Sequence, residues 1–174
     1  MFRRDPLANP EPLIRRVYAY VAYRIGDGPD AQDVTSETFE RAIRARHTYD
    51  ASRGTPIAWL LGIACRALAD AMAARPAPDP GAPDVADADM EEDVIRRLTL
   101  SAAIATLDER DQELIALRYG ADLTARRIAE TLDMRTNAVE VALHRALGRL
   151  REALSTERAS SSGASCDDEF SRRL

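Results

Sequence analysis

A stretch rich in proline and aspartate divides this 174-residue chain into two parts. Residues 75–89 read RPAPDPGAPDVADAD, with four prolines, one glycine and no apolar periodicity. Proline fixes φ and removes a backbone donor, so this composition favours an extended, solvated linker over a helix or a strand. The linker offers only one valine and a few alanines for docking, so we expect the two halves to move independently in the free protein.

Apolar residues recur at helical spacing in the N-terminal half, and no stretch shows the alternation of a half-buried strand. The pattern predicts helices over residues 12–25, 30–46 and 56–74. Thr55 is placed to cap the third helix, with Pro56 at its first position. Val34, Phe39 and Ile43 are expected to face inward from the second helix.

The C-terminal half predicts four further helices, over residues 90–106, 108–119, 124–132 and 136–154. The fold class is therefore all-α, with two small helical domains joined by a flexible linker. The predicted divisions are a domain over 10–75, the linker over 76–89, a domain over 90–154 and a disordered, serine-rich tail over 155–174.

The net charge of -5 comes mainly from the linker. Residues 76–93 hold seven acidic residues and no arginine, whereas the segments on either side hold more arginines than acids. The global charge therefore does not argue against a nucleic-acid partner.

The two cysteines, Cys65 and Cys166, show no metal-ligand spacing, and no phosphate loop or nucleophile constellation is present. We therefore expect no cofactor, no metal and no enzymatic activity. The longest apolar run, residues 57–64, is too short to span a bilayer, and no signal peptide precedes it. A cytoplasmic protein without a membrane partner is expected.

Residues 123–150 predict two short amphipathic helices separated by about three residues. This is the spacing of a helix-turn-helix, whose second helix enters the major groove of DNA. The small Ala129 permits a close approach of the two helices. An ordinary αα-hairpin has the same pattern, so the spacing alone leaves both interpretations open.

Longer stretches resemble a known family. Residues 107–154, with LIALRY, IAETL and LHRALGRLRE, resemble region four of bacterial sigma factors. DAQDVTSETFERA, from residue 30, and YDASRGTPIAWLLGIA, from residue 49, resemble region two. Both motifs occur in the family's order with a short linker between them. That layout is similar to the extracytoplasmic-function (ECF) group of the sigma-70 family.

The resemblance implies that the second predicted helix docks on the clamp of core RNA polymerase. The residues implied there are Asp30, Gln32, Asp33, Glu37 and Phe39. Carboxylates suit a basic partner surface. Asp30 and Asp33 would also favour the positive end of a helix without any partner, and Phe39 fits a core position as well as a contact.

The resemblance also implies that residues 47–56 and the helix after them read and open the -10 promoter element. Capturing an unstacked base requires a pocket, polar edges and nearby positive charge. The residues placed to provide these are Arg44, Arg46, Tyr49, Ser52 and Arg53. Trp59 begins the apolar face of its helix and is interpreted as a core anchor.

The helix-turn-helix would read the -35 element. The exposed positions of its second helix are predicted to be Arg135, Thr136, Asn137, Glu140, Val141, His144 and Arg145. Arg126 and Arg127 on the preceding helix are placed to hold phosphates. Asn137 suits an adenine edge, and Arg145 suits phosphate or guanine, although a solvated surface role fits each of these side chains too.

Several positions depart from the family pattern. Glu140 and Ala142 stand where many relatives are basic, and a carboxylate there either accepts from cytosine N4 or repels phosphate. Asp133 occupies the turn between the helices, where glycine is common. Cys65, Ala73 and Ala74 replace polar or basic residues in region two. Fewer cations predict weaker non-specific DNA binding.

Three functions follow from these patterns. The first is an alternative sigma factor that binds core RNA polymerase and promoter DNA, with an anti-sigma factor as a further partner. The second is a sigma-like DNA-binding regulator that acts without polymerase. The third is an interaction module that binds polymerase or an anti-sigma factor but not DNA. The clamp-type motif favours the first, and the missing cations leave the third open.

Overall fold

A computed structural model describes residues 5–74 and 92–163, and the regular elements within these ranges are all helical. The N-terminal half contains α1 (Pro10–Ile25), α2 (Pro29–Ala45) and α3 (Pro56–Ala74). The C-terminal half contains α4 (Glu92–Ala105), α5 (Glu109–Ile115), α6 (Ala125–Leu132) and α7 (Thr136–Gly163). The predicted all-α fold is confirmed. The predicted linker, residues 76–89, lies outside the described residues.

Local sequence signals set the boundaries of the N-terminal helices. Gly26 and Gly28 adopt φ angles of 91° and 146°, which side chains rarely tolerate, and together they separate α1 from α2. The backbone N–H of Ala58 donates to the Thr55 hydroxyl at 3.4 Å, and Pro56 is the first residue of α3. The predicted cap of α3 is therefore present.

Helix α3 is the apolar centre of the N-terminal half. Leu60, Leu61 and Leu68 are buried in the hydrophobic core, whereas Cys65 and Arg66 are exposed. By length and composition alone α3 could also cross a membrane, with a mean hydropathy of 1.6 over an 18-residue window. The expectation that no apolar stretch is long enough to span a bilayer considered only residues 57–64, whereas α3 continues to Ala74. The buried leucines show α3 as a core helix.

The helix-turn-helix has the predicted geometry. The N–H of Arg127 donates to the Thr124 hydroxyl at 3.4 Å, so Thr124 caps α6. Asp133 ends α6 with a left-handed φ of 52°, the conformation that glycine supplies more readily. Val139 and Leu143 then face the core from α7.

The predicted helix over residues 108–119 is not uniform. Asp108 caps α5 by accepting from the N–H of Asp111 at 2.8 Å. After Ile115 the backbone widens into a π-helical turn over Ala116–Gly120. The turn ends where the N–H of Ala121 donates to the Ala116 carbonyl at 2.9 Å.

The two halves share one hydrophobic core. Val17, Tyr20 and Val21 of α1 belong to the same buried cluster as Leu114 and Leu117 of the C-terminal half. Helix α1 packs against the π-helical turn, which is buried at Ala116, Leu117 and Gly120. The structure therefore differs from the expectation of two independent halves. That expectation considered the linker, whereas the contact is made by the helices themselves.

Two further details correct the sequence-based expectations. Helix α7 continues to Gly163, beyond the predicted end at residue 154, with the Ser155 hydroxyl donating to the Arg151 carbonyl at 2.8 Å. Nothing between 155 and 162 breaks a helix, and residues 164–174 lie outside the described residues. Ile43, expected to face inward, is 57% exposed.

Leu60 and Ile43 provide a matched test of this core. Leu60 is fully buried, so Leu60→Ala should lower the free energy of unfolding by about 2–5 kcal/mol because it removes packed atoms and leaves a cavity. Ile43→Ala should change it by less than about 0.5 kcal/mol, as surface substitutions usually do. Urea denaturation followed by circular dichroism measures both. Equal losses for the two variants would contradict the assigned core.

Candidate polymerase and promoter-DNA interface

The residues proposed for the polymerase clamp lie on α2 with different degrees of exposure. Asp30, Gln32 and Asp33 are exposed near its N-terminus. Glu37 is half-buried, and Phe39 is half-buried and packs against the hydrophobic core. The packing of Phe39 favours its structural role, which leaves the first turns of α2 as the accessible polar surface.

Arg41 connects this surface to α3. Its Nε donates to Glu37 Oε1 at 2.6 Å and its Nη1 donates to Asp70 Oδ2 at 2.7 Å. Hydrogen bonds to Glu37 and then Asp70 raise the pKa of Arg41. Glu37 is thus already neutralised within the chain.

Residues 47–56 form a loop held by its own polar groups, which we call the promoter loop. The Tyr49 hydroxyl donates to the Gly54 carbonyl at 3.1 Å, and the Ser52 N–H and hydroxyl donate to Asp50 Oδ1 at 2.9 and 2.8 Å. The Tyr49 ring meets the Trp59 ring edge to face, with centroids 5.6 Å apart. The contact between the two rings anchors the promoter loop on α3.

The arginines proposed for the promoter loop are not equivalent. Arg46 and Arg53 are exposed, and no ion pair to either is found within the described ranges. Arg44 donates to Glu40 Oε2 at 2.8 Å, one turn earlier on α2. Positive charge for phosphate contacts is therefore concentrated at Arg46 and Arg53.

The recognition surface of α7 is exposed as the sequence predicts. Glu140 and Val141 are exposed beside the fully buried Val139, and Val141 is 51% exposed. Thr136 is half-buried at the start of the helix. The exposed polar members of the predicted set are Arg135, Asn137, Glu140, His144 and Arg145.

The two arginines of α6 share one acidic partner. Arg126 Nε lies 3.2 Å from Glu130 Oε1, and Arg127 Nη1 lies 2.7 Å from Glu130 Oε2. Hydrogen bonding from Arg127, and then from Arg126, lowers the pKa of Glu130, so the carboxylate stays charged. The predicted phosphate-holding pair is partly neutralised before any DNA is bound.

The promoter loop and α6 line a common cavity of about 500 Å³, which we call the loop cavity. Tyr49 and Arg53 contribute from the loop, and Arg127 and Glu130 contribute from α6. Sequence reasoning missed Arg66, which also lines the cavity from α3. The only signal for Arg66 was its spacing of seven residues from Trp59, which places both on one face of α3.

Comparison with known proteins identifies both halves. Residues 11–75 match the family model for Sigma-70 region 2, and residues 97–150 match the model for Sigma-70, region 4. The chain is 32% identical over 167 residues to the ECF RNA polymerase sigma factor SigD of Mycobacterium tuberculosis, covering 87% of this chain and 76% of that protein. The chain belongs to the ECF group of the sigma-70 family.

This ECF sigma factor also matches a second relative, which is longer than the chain itself. The ECF RNA polymerase sigma factor BldN of Streptomyces coelicolor is 30% identical over 147 residues, a match that covers 79% of this chain and 56% of BldN. Among solved structures, CnrH in complex with the cytosolic domain of CnrY matches with a TM-score of 0.60 and 21% identity. That match covers 84% of this chain and 82% of CnrH and supports the fold. The family resemblance is confirmed, whereas the individual contact residues stay predictions.

Because Arg126 and Arg127 share the carboxylate of Glu130, removing its charge should change the salt dependence of promoter binding. Glu130→Gln should free Arg126 and Arg127 for phosphates and tighten promoter binding by core polymerase loaded with the full chain. Each added phosphate contact steepens the slope of log affinity against log salt by about 0.9, so the slope should change by up to about 1.8. Fluorescence anisotropy at several salt concentrations measures it.

Glu11→Gln is the matched control, because Glu11 also pairs with an arginine one helical turn away, Arg15 of α1, at 3.4 Å. For Glu11→Gln, the slope of log affinity against log salt should equal that of the wild type. Equal slopes for Glu130→Gln and Glu11→Gln would remove the arginines of α6 from the DNA interface.

Proposed function

We propose that this ECF sigma factor directs core RNA polymerase to specific promoters and starts transcription there, acting in the cytoplasm as a protein factor without chemistry of its own. One observation carries the proposal: a single chain holds both an exposed acidic surface on α2 and an exposed recognition helix, α7. A regulator that acts without polymerase has no use for the first surface. An interaction module that does not bind DNA has no use for the second.

The proposed docking surface for the polymerase clamp is the start of α2. Asp30, Gln32 and Asp33 project there into solvent, and the carboxylates of the two aspartates suit a basic partner. Arg41 bridges Glu37 of α2 and Asp70 of α3 and so connects the two helices. Helix α3 also carries Trp59, which contacts Tyr49 of the promoter loop. Docking thereby fixes the position of the promoter loop relative to the polymerase.

The promoter loop is the proposed site for an unstacked base of the -10 element. Tyr49, whose ring contacts the core-packed Trp59, supplies an aromatic surface, and Arg46 and Arg53 supply positive charge for the strand's phosphates. Base–aromatic stacking is worth about 1–3 kcal/mol per base, enough to offset part of the cost of unstacking.

Helix α7 is the proposed reader of the -35 element. Asn137 suits an adenine edge, and Arg135 and Arg145 suit phosphate or guanine. Glu140 either accepts from a cytosine amino group or repels phosphate. With one carboxylate among few cations, α7 binds weakly alone and depends on polymerase to bring it to DNA.

An anti-sigma factor is a further proposed partner. The CnrH structure contains the cytosolic domain of a second protein, CnrY. In this chain a cavity of about 790 Å³ lies between the halves, with Leu68 and Met72 on one side and Leu132 and Met134 on the other. An apolar side chain of a partner would be accommodated there.

Transcription in vitro tests the proposed function most directly. Core polymerase of the source organism, the full chain and a library of genomic fragments should give transcripts that begin at a small set of shared sequence elements. A chain that binds the fragments without polymerase and yields no transcript would instead be a regulator. A chain that binds polymerase and yields no transcript would be an interaction module.

Charge reversal on α2 tests the docking surface. Asp33→Arg should weaken the affinity for core polymerase at least about tenfold, because it places a cation against a basic surface. The exposed position should leave helicity and thermal unfolding unchanged. Glu152→Arg, an equal change of charge at an exposed position on α7, is the control. Equal affinities for the two variants and the wild type would exclude this surface.

A further inference from the structure

The loop cavity is lined by arginines from three separate elements. Arg53 belongs to the promoter loop, Arg66 to α3 and Arg127 to α6. Arg53 and Arg66 are exposed, and no side-chain hydrogen bond or ion pair to either is found in the part of the chain that the structure describes. A guanidinium group binds phosphate through two parallel N–H···O bonds. The cavity therefore offers two unoccupied phosphate-binding groups.

The carboxylates in the lining are already engaged within the chain. The charged residues of the lining are Asp50, Arg53, Arg66, Arg127 and Glu130. Asp50 Oδ1 accepts from the N–H and the hydroxyl of Ser52 at 2.9 and 2.8 Å. The carboxylate of Glu130 is shared by Arg126 and Arg127. The three cations outnumber the two carboxylates, so the cavity favours an anionic ligand over a cationic one.

Tyr49 adds an aromatic ring to the same space. It is half-buried, lines the cavity and meets the Trp59 ring edge to face, with centroids 5.6 Å apart. An aromatic ring has two faces, and this contact uses at most one of them. Every nucleobase has a π-face that stacks on an aromatic side chain. Arginines for phosphate beside a ring for a base are the combination that a nucleotide requires.

Gly62 leaves open space on the α3 side of the cavity. It lies in the interior of α3, is exposed, and belongs to the lining. A Cβ built there meets nothing within 4 Å, and Gly62 does not have a positive φ. Glycine destabilises a helix interior relative to alanine, and neither close packing nor backbone conformation accounts for it here. Close approach of a ligand to the helix backbone would account for it.

Contacts between the two halves hold the walls of the loop cavity in place. A Cβ built on Gly120 would lie 2.8 Å from both Cα and N of Tyr20, so the two backbones are in direct contact. Arg16 of α1 donates to two backbone carbonyls that follow Gly120, at 2.6 and 3.0 Å. Arg24 of α1 pairs with Glu113 of α5. The cavity is therefore formed before a ligand arrives, which lowers the entropy cost of binding.

We propose that the loop cavity binds a nucleoside phosphate, whose phosphates contact Arg53, Arg66 and Arg127 and whose base stacks on Tyr49. A volume of about 500 Å³ lies in the range of small-molecule sites and does not admit a duplex. The proposal goes beyond the proposed function, because this binding needs neither polymerase nor promoter. Tyr49 and Arg53 are also proposed contacts of the -10 strand. Under the proposed function, the ligand and that strand therefore exclude each other.

Isothermal titration calorimetry of the full chain in magnesium-free buffer tests the site with ADP, GDP, adenosine and inorganic pyrophosphate. At least one of the two diphosphates should bind and raise the midpoint of thermal unfolding, because a ligand of the folded chain stabilises it. Adenosine and pyrophosphate each supply one part of the ligand and should bind at least about tenfold more weakly. Adenosine or pyrophosphate binding as tightly as the diphosphates would overturn the assignment, as would no binding of ADP and GDP.

Arg66→Ala should weaken binding of the diphosphate at least about tenfold, because it removes a charge-assisted contact. Arg151→Ala is the control, since Arg151 is an exposed arginine of α7 outside the cavity, and it should match the wild type. Equal affinities for the two variants would overturn the proposal.

Gly62→Leu provides a second test, because its side chain enters the space beside α3 that the ligand would occupy. It should also weaken binding, whereas Gly148→Leu should not, since Gly148 lies outside the cavity and its Cβ likewise meets nothing within 4 Å. Circular dichroism checks the fold of each variant, and if Arg66→Ala is not helical the two glycine variants decide. Promoter-dependent transcription by the wild type is scored separately, so failure of the ligand site and failure of the sigma function give different results.

Discussion

The contact of the Gly120 backbone with the α1 backbone at Tyr20 is the constraint on which the rest of the structure depends. Two backbones can approach this closely only where one of them has no side chain. Around this point Val17 and Val21 of α1 meet Leu114 and Leu117, and two small helical halves gain one common core. A small domain buries a limited fraction of its surface, so sharing a core adds stability to each half.

The same contact determines what the surface of the molecule can do. It leaves the acidic start of α2 and the outer face of α7 exposed, and it turns the promoter loop towards α6. Ion pairs within the chain reinforce the effect. Arg44 pairs with Glu40, and Arg126 and Arg127 pair with Glu130, so part of the positive charge of the surfaces proposed to read DNA is already neutralised. These ion pairs fit the proposal that promoter binding depends on polymerase.

Local features of the fold were predictable because they depend on neighbouring residues. Thr55 and Thr124 cap helices as expected, Asp133 adopts the left-handed turn, and Val139 is buried beside the exposed Glu140. Features that depend on distant partners were not predictable. Arg24 and Glu113 are 89 positions apart, and in the sequence Gly120 indicates only the end of a helix. Exposure of Ile43 also depends on tertiary packing, because helical spacing alone places it with the core residues.

The distance between the promoter loop and α6 tests most directly whether the two halves pack against each other. Spin labels at Ser52 and Thr131, both exposed, would report it by double electron–electron resonance after Cys65 and Cys166 are replaced by serine. Because the two halves share one core, we predict one short, narrow distance distribution in the free chain. A broad distribution of long distances in the free chain would contradict the shared core.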